Sequence, residues 1–216
     1  MKRRDFSLLC GAAAAGAALL PALTLAQGKA PQAGTDYQVI GKNAPVEAPA
    51  GKIEVVEFFW YNCPHCNSFE PTFAAWVKRA PKDLAVRRVP VAFRDDFAPQ
   101  QRLYYALEAM DLVEKLHAKV YAAIHAEKQN LSKPDTIVEW IVKQGVDKTK
   151  FLEHYNSFSV ATKVKRATQL QNAYKIEGVP TLGVAGRFLT DGPMAGTMER
   201  ALQVVEFLAD SIRAGK

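Results

Sequence analysis

The sequence predicts an α/β fold whose small sheet is interrupted midway by a block of helices, and three observations predict it. Residues 52–61, KIEVVEFFWY, carry Val, Ile, Phe and Trp at strand density and are followed at once by an apolar stripe with helical spacing. A second strand-like run, LAVRRVPVAF at 84–93, is the last strand signal before a long series of helical stripes. Strand signals return only beyond Gly178, in TLGVAG and RFLT, and one more helical stripe closes the chain.

The N-terminal segment is read first. MKRRDFSLLCGAAAAGAALLPALTLA has three basic residues, Lys2, Arg3 and Arg4, then an apolar run, then the small-residue ending TLA. That is the layout of a cleavable export signal, and its Ala and Gly content and Pro21 argue against a membrane anchor. RRDF also resembles a twin-arginine signal, but Lys2 precedes the pair and Ser7 follows Phe6, which leaves the export route open. Cleavage is expected after Ala26. It leaves 190 residues (216 less 26) and lowers the formal charge from +6 to +4, because Lys2, Arg3, Arg4 and Asp5 go with the signal. So mild an excess, without a dense basic cluster interleaved with aromatics, does not point to nucleic acid. The densest basic run, KVKR at 163–166, lies in a helix-like stretch and reads as a solvated face. AQGKAPQAG reads as a flexible start.

With 49% hydrophobic and 23% charged residues, the chain can bury one good core, so one domain with an insertion is expected. After the strand at 52–61, Phe69, Phe73, Trp76 and Val77 form one helix stripe. Pro64 suits the first turn of that helix, where a missing N–H costs nothing, whereas Pro71 lies inside it and is expected to kink it. The helical block shows stripes at Leu103, Leu107 and Met110; at Leu116, Val120 and Ile124; at Ile137, Trp140 and Ile141; and at Val160, Val164, Ala167 and Tyr174. Gly178 is expected to stop the last of these helices. The final helix, from about Thr197, uses Leu202, Val205, Leu208 and Ile212. The expected organisation is a signal at 1–26, a first core part at 27–96, a helical insertion at 97–174 and a second core part at 175–216.

Removing the signal also removes Cys10, so the mature chain keeps only Cys63 and Cys66, in FWYNCPHCNSFE. A structural disulfide closing so short a loop gains little, and small exported domains that rely on disulfides use several at wider spacing. Haem attachment needs His directly after the second Cys, where Asn67 stands. A structural zinc site needs four ligands, and His117, His125 and His154 are scattered through helical segments as ordinary surface or packed histidines. Metal binding by the pair with a borrowed ligand stays open beside redox chemistry. The placement favours redox, because the pair sits where a strand ends and a helix begins, and a helix N-terminus stabilises a thiolate. Cys63 is then expected to be exposed and acidic, and Cys66, one turn further in, to be the shielded resolving thiol. His65 can donate a hydrogen bond or a positive charge to the Cys63 sulfur.

EFFWYNCPHC followed by SFE, with GVPT much later, resembles the DsbA family of periplasmic thiol:disulfide oxidoreductases, whose thioredoxin fold is interrupted by a helical insertion. The resemblance covers most of the mature chain. It implies a cis Val179–Pro180 bond facing the cysteines, with the Val179 backbone free to pair with an extended client strand. It also implies an acidic residue beneath the cysteines, matched by Glu57, which interrupts an apolar strand and is costly to bury unless it moves protons or meets a base such as Arg88. Glu57 is expected to accept the proton of Cys66 through water, and Glu70 and Arg88 match the family's charged neighbours. The expected activity is a dithiol oxidase of the periplasm, a monomer acting on unfolded or reduced exported proteins. A membrane quinone-linked reoxidase of the DsbB type would regenerate it, and the cysteine pair carries the electrons with no bound cofactor or metal. The alternatives are a disulfide isomerase or reductase, and a copper or zinc carrier. Related isomerases carry a dimerisation domain before the thioredoxin core, and only about ten residues separate Ala26 from DYQVI.

Overall fold

The computed structural model describes residues 30–215, so the signal segment at 1–26 and its cleavage point lie outside the described residues. The described chain begins with an extended arm carrying a two-residue strand, β1 (Gln38–Val39), followed by β2 (Ile53–Phe59). All seven residues of β2 are buried, which is why IEVVEFF reads as one apolar run rather than alternating: both faces of this strand are covered. α1 (Pro64–Arg79) follows after a short turn and β3 (Leu84–Pro90) returns parallel to β2, a βαβ unit. β3 stops at Pro90, short of the full 84–93 run.

A short 3-10 turn (Asp95–Phe97) leads into the helical block: α2 (Ala98–Ala109), α3 (Val113–His125), α4 (Pro134–Lys143), α5 (Lys148–Tyr155) and α6 (Phe158–Tyr174). The chain then re-enters the sheet through β4 (Thr181–Val184) and β5 (Phe188–Asp191). It closes with a single helical turn, α7 (Gly192–Ala195), and with α8 (Met198–Arg213), whose N-cap is Thr197. Among the described residues the sheet has five strands in the order β1-β5-β4-β2-β3, with β2 parallel to β3 and every other pair antiparallel.

The sheet is covered on both faces. One face packs Ile53, Val55, Leu182 and Val184 against Phe69, Phe73 and Trp76 of α1 and Leu202, Val205 and Leu208 of α8. The Trp76 Nε1–H donates to Glu206 at 2.8 Å and ties these two helices together. The other face packs Val56 and Phe58 against the helical block, with the Tyr174 ring edge-on to Phe58 at 5.2 Å. Tyr174 lies so close to β4 that a Cβ at position 183 would come 2.6 Å from its ring, so only glycine fits there.

One sequence expectation is corrected. Gly178 does not stop α6. Lys175 does, three residues earlier, by taking the left-handed conformation (φ 55°) that turns the chain and lets Ile176 N–H reach the Gln171 carbonyl at 3.0 Å. A left-handed lysine carries no sequence signal, whereas glycine does. Pro71 lies inside a continuous α1: the helix gives up one internal hydrogen bond there and runs on to Arg79. β1 and α7 are additions that the sequence did not announce, since two residues and four residues are too short to show a period.

Candidate redox active site

The βαβ unit builds the site. β2 runs out at Phe59, the Cys63 N–H donates to the Trp60 carbonyl at 3.0 Å to close a tight turn, and α1 starts at Pro64 with Cys63 as its N-cap. Pro64 occupies the first helical position and, like His65, is exposed. Cys66 then falls one turn inside α1 and is fully buried, and both cysteines are free thiols.

Cys63 departs from expectation, being only 8% exposed. The loop entering β4 covers it: the Cys63 thiol donates to the Val179 carbonyl at 3.3 Å, and the Val179–Pro180 bond beside it is cis. Pro180 and Val179, far away in sequence, thus stand across from the cysteine turn. Beside them a cavity of about 270 Å³ is lined by His65, Gly178, Pro193 and Met198.

The two thiols are set apart chemically. The Cys63 pKa is lowered to about 6, first by the Cys66 thiol donating to its sulfur, which outweighs the opposing effect of burial. The backbone N–H groups of Cys66 and His65 follow, and the His65 charge comes last. Burial pushes the Cys66 thiol far up, and its proximity to the Cys63 sulfur adds to the rise. One thiol is therefore largely ionised at neutral pH, and the other keeps its proton.

Beneath the pair lies a buried charged cluster. The parallel register of β2 and β3 sets Glu57 opposite Arg88, and Arg88 Nε reaches Glu57 at 3.1 Å. The same guanidinium donates from Nη2 to Glu70 of α1 at 2.8 Å and lies over the Phe73 ring. Glu57 is 0% exposed, and burial pushes its pKa up to about 8 although Arg88 opposes the rise. Its carboxyl is thus poised to give or take a proton near neutrality, and its charge acts on Cys66.

His117 of α3, read from the sequence as an ordinary histidine, completes this cluster. It is buried, with Nε2 3.4 Å from Glu70, and it bonds the Tyr61 hydroxyl through Nδ1 at 2.8 Å. Burial holds its pKa down, which favours a neutral ring between the Tyr61 hydroxyl and Glu70. Burial likewise raises the Glu70 pKa, but His117 and Arg88 together hold it below the ordinary range. The one sequence signal for His117 was its place next to Leu116 on the buried stripe of α3. His125 lies one turn further on and donates from Nε2 to the Tyr61 carbonyl at 2.8 Å. His154, on α5, does not join the site. Among the described residues no group of three His, Cys, Asp or Glu side chains is arranged to hold a metal ion, and no helix is long and apolar enough to cross a membrane.

Comparison with known proteins agrees with this geometry. The family profile of the DSBA-like thioredoxin domain matches residues 54–203. The chain is 43% identical over 198 residues to the thiol:disulfide interchange protein DsbA of Burkholderia cepacia, spanning 92% of this chain and 93% of that one. It is 38% identical over 212 residues to the protein of the same name from Azotobacter vinelandii, spanning 97% and 99%. Among solved structures, Pseudomonas aeruginosa DsbA superposes with a TM-score of 0.81 at 38% identity, covering 85% of this chain and 95% of that one. The oxidoreductase NmDsbA1 of Neisseria meningitidis gives 0.76 at 27% identity, with coverages of 85% and 95%.

Proposed function

The chain belongs to the family of DSBA-like thioredoxin domains and is a thiol:disulfide oxidoreductase, and from that premise we propose that it works as a periplasmic oxidase in which Cys63 exchanges with client thiols and Cys66 resolves. The observation that carries this reading is the opposed tuning of the two thiols, one brought down to about 6 and the other pushed far up by burial.

In the oxidised enzyme a client thiolate attacks the Cys63 sulfur, the Cys63–Cys66 bond breaks, and Cys66 leaves with the electron pair. Glu57 in its neutral form supplies the proton that Cys66 then needs, directly or through a water. The client's second thiolate attacks the client sulfur of the mixed disulfide, forming the client disulfide and expelling Cys63 as a stable thiolate. Two electrons have passed from client to enzyme. On reoxidation the Cys63 thiolate attacks the disulfide of a membrane quinone-linked partner of the DsbB type and releases one partner thiolate, Glu57 as carboxylate takes the Cys66 proton, and the Cys66 thiolate attacks Cys63, closing the ring and expelling the second partner thiolate. Pro64 and His65, exposed at the start of α1, border the sulfur that a client must reach. The Val179 backbone and Pro180 offer an extended client a place to lie, with apolar contacts in the adjoining cavity. Recognition through backbone and apolar contact suits many unfolded exported clients, met by the enzyme as a monomer.

The test is trapping. Cys66→Ala leaves a mixed disulfide at Cys63 with no internal thiol to release it, so client complexes should accumulate on non-reducing gels, while Cys63→Ala should trap far fewer. Equal trapping by the two variants would reverse or abolish these roles.

A further inference from the structure

Tyr61 and Asn62, the two residues that lead into Cys63, are held by the helical block at four points. Two are the histidine contacts of Tyr61, to His117 through its hydroxyl and to His125 through its carbonyl. The other two belong to Asn62: its Oδ1 accepts from Gln100 Nε2 at 2.7 Å, and its Nδ2 donates to Ser132 Oγ at 3.2 Å. The same Gln100 amide donates to the Leu131 carbonyl at 3.1 Å, so one side chain of α2 ties the redox turn to the loop between α3 and α4.

Gln100 is 2% exposed, so its side chain offers almost no surface to a client. Burying a long amide costs desolvation and rotamer freedom that only its hydrogen bonds offset, so those bonds fix where it sits. Its neighbour Gln101 offers a contrast within one helix. Gln101 is 1% exposed, yet it donates to the Pro90 carbonyl at 2.9 Å, at the end of β3, and makes no bond to Tyr61 or Asn62.

Asn62 lies inside the Trp60–Cys63 turn. We propose that Gln100 is a positioning residue for the redox turn: by pinning Asn62 against the α3–α4 loop, it keeps the Cys63 sulfur aligned with the N–H groups at the start of α1. The proposal rests on Cys63 being the reactive thiol. The largest titratable influences on this sulfur are Cys66 and His65, both on α1, and the facing loop presents the Val179 carbonyl. Gln100 carries no charge, so any effect it has on the thiolate travels through geometry.

The experiment follows the thiolate absorbance of the reduced protein against pH, with thermal melts alongside, for the wild type, Gln100→Ala and Gln101→Ala. Both variants should melt lower. Only Gln100→Ala should raise the Cys63 midpoint, by about 0.5 pH unit or more, because a site held to within a fraction of an ångström loses its tuning when its support goes. Asn62→Ala should reproduce the rise, and the double variant should rise no further than either single one. A wild-type midpoint in Gln100→Ala with a lowered melt would make Gln100 ordinary core and overturn the proposal. So would an equal rise in both glutamine variants, which would mean general loosening. If Gln100→Ala does not fold, Asn62→Ala alone decides, since an unchanged midpoint there breaks the link. A wild-type protein with no midpoint below the ordinary thiol range would overturn the Cys63 assignment and the proposal with it.

Discussion

Replacing Cys66 by alanine should raise the Cys63 pKa from about 6 to roughly 7 or 8. The Cys66 thiol, donating to the Cys63 sulfur, is the largest of the influences that lower it. A hydrogen bond to a charged acceptor is worth about 1.5–3 kcal/mol, and one pH unit corresponds to about 1.4 kcal/mol, so losing this bond lifts the midpoint by about 1 to 2 pH units. The N–H groups of Cys66 and His65 remain in the variant, which keeps the midpoint below that of a free thiol. In the same assay His65→Leu should move the midpoint less than Cys66→Ala, because the His65 charge is the smallest of the named influences. Thiolate absorbance against pH, checked by the pH dependence of alkylation rate, measures both. A Cys66→Ala midpoint still near 6 would place the whole effect on the helix start, and a His65→Leu shift larger than that of Cys66→Ala would invert the ranking.

The lowered thiol pKa also predicts how the two redox forms respond to pH. A depressed folded-state pKa contributes stability that is fully present above the unfolded value near 8.5 and is lost as pH falls through about 6. At pH 7 this gives the reduced form about 1 kcal/mol after allowance for solvent screening. For a domain of this size that is roughly 2–4 °C, so the melting gap between reduced and oxidised protein should narrow by about that much from pH 7 to pH 5. Paired melts check it, and a gap that widens on acidification contradicts the assignment. Glu57→Gln should slow closure of the Cys63–Cys66 disulfide about tenfold or more by removing the proton acceptor, while leaving the Cys63 midpoint near its wild-type value. Stopped-flow reoxidation separates the two effects, and an unchanged closure rate would return Glu57 to a structural role.

Much of this was legible in the sequence because the signals were local. A strand buried on both faces shows as an apolar run, a helix start shows as Cys-Pro-His-Cys, and the helical block shows as successive stripes. Glu57 stood out because a lone acid in such a run demands a partner, and the β2–β3 register supplies Arg88. What stayed hidden depends on contacts between distant segments. The cover over Cys63 comes from Val179, 116 residues away in sequence, and turns an expected exposed thiol into a nearly buried one. The ranking that puts the Cys66 thiol ahead of His65 depends on where two sulfurs meet in space. His117 and Gln100 looked like one histidine on an apolar stripe and one polar residue on a helix, and only the packing of α2 and α3 against the redox turn gives them partners.

The claim that this chain is an oxidase rests on the reduced pair being favoured over the disulfide, and the equilibrium of Cys63–Cys66 with glutathione measures that preference directly. The family is itself a standard instance of a low-pKa, oxidising cysteine pair, so the direction is shared with it and not unique to this chain. With Cys63 held as a thiolate at neutral pH, the enzyme should be almost fully reduced in redox buffers that leave ordinary structural disulfides intact, which corresponds to a potential well above about −200 mV. A pair that stays oxidised in those buffers, with a potential near the thioredoxin value of about −270 mV, would identify a reductase and contradict the account.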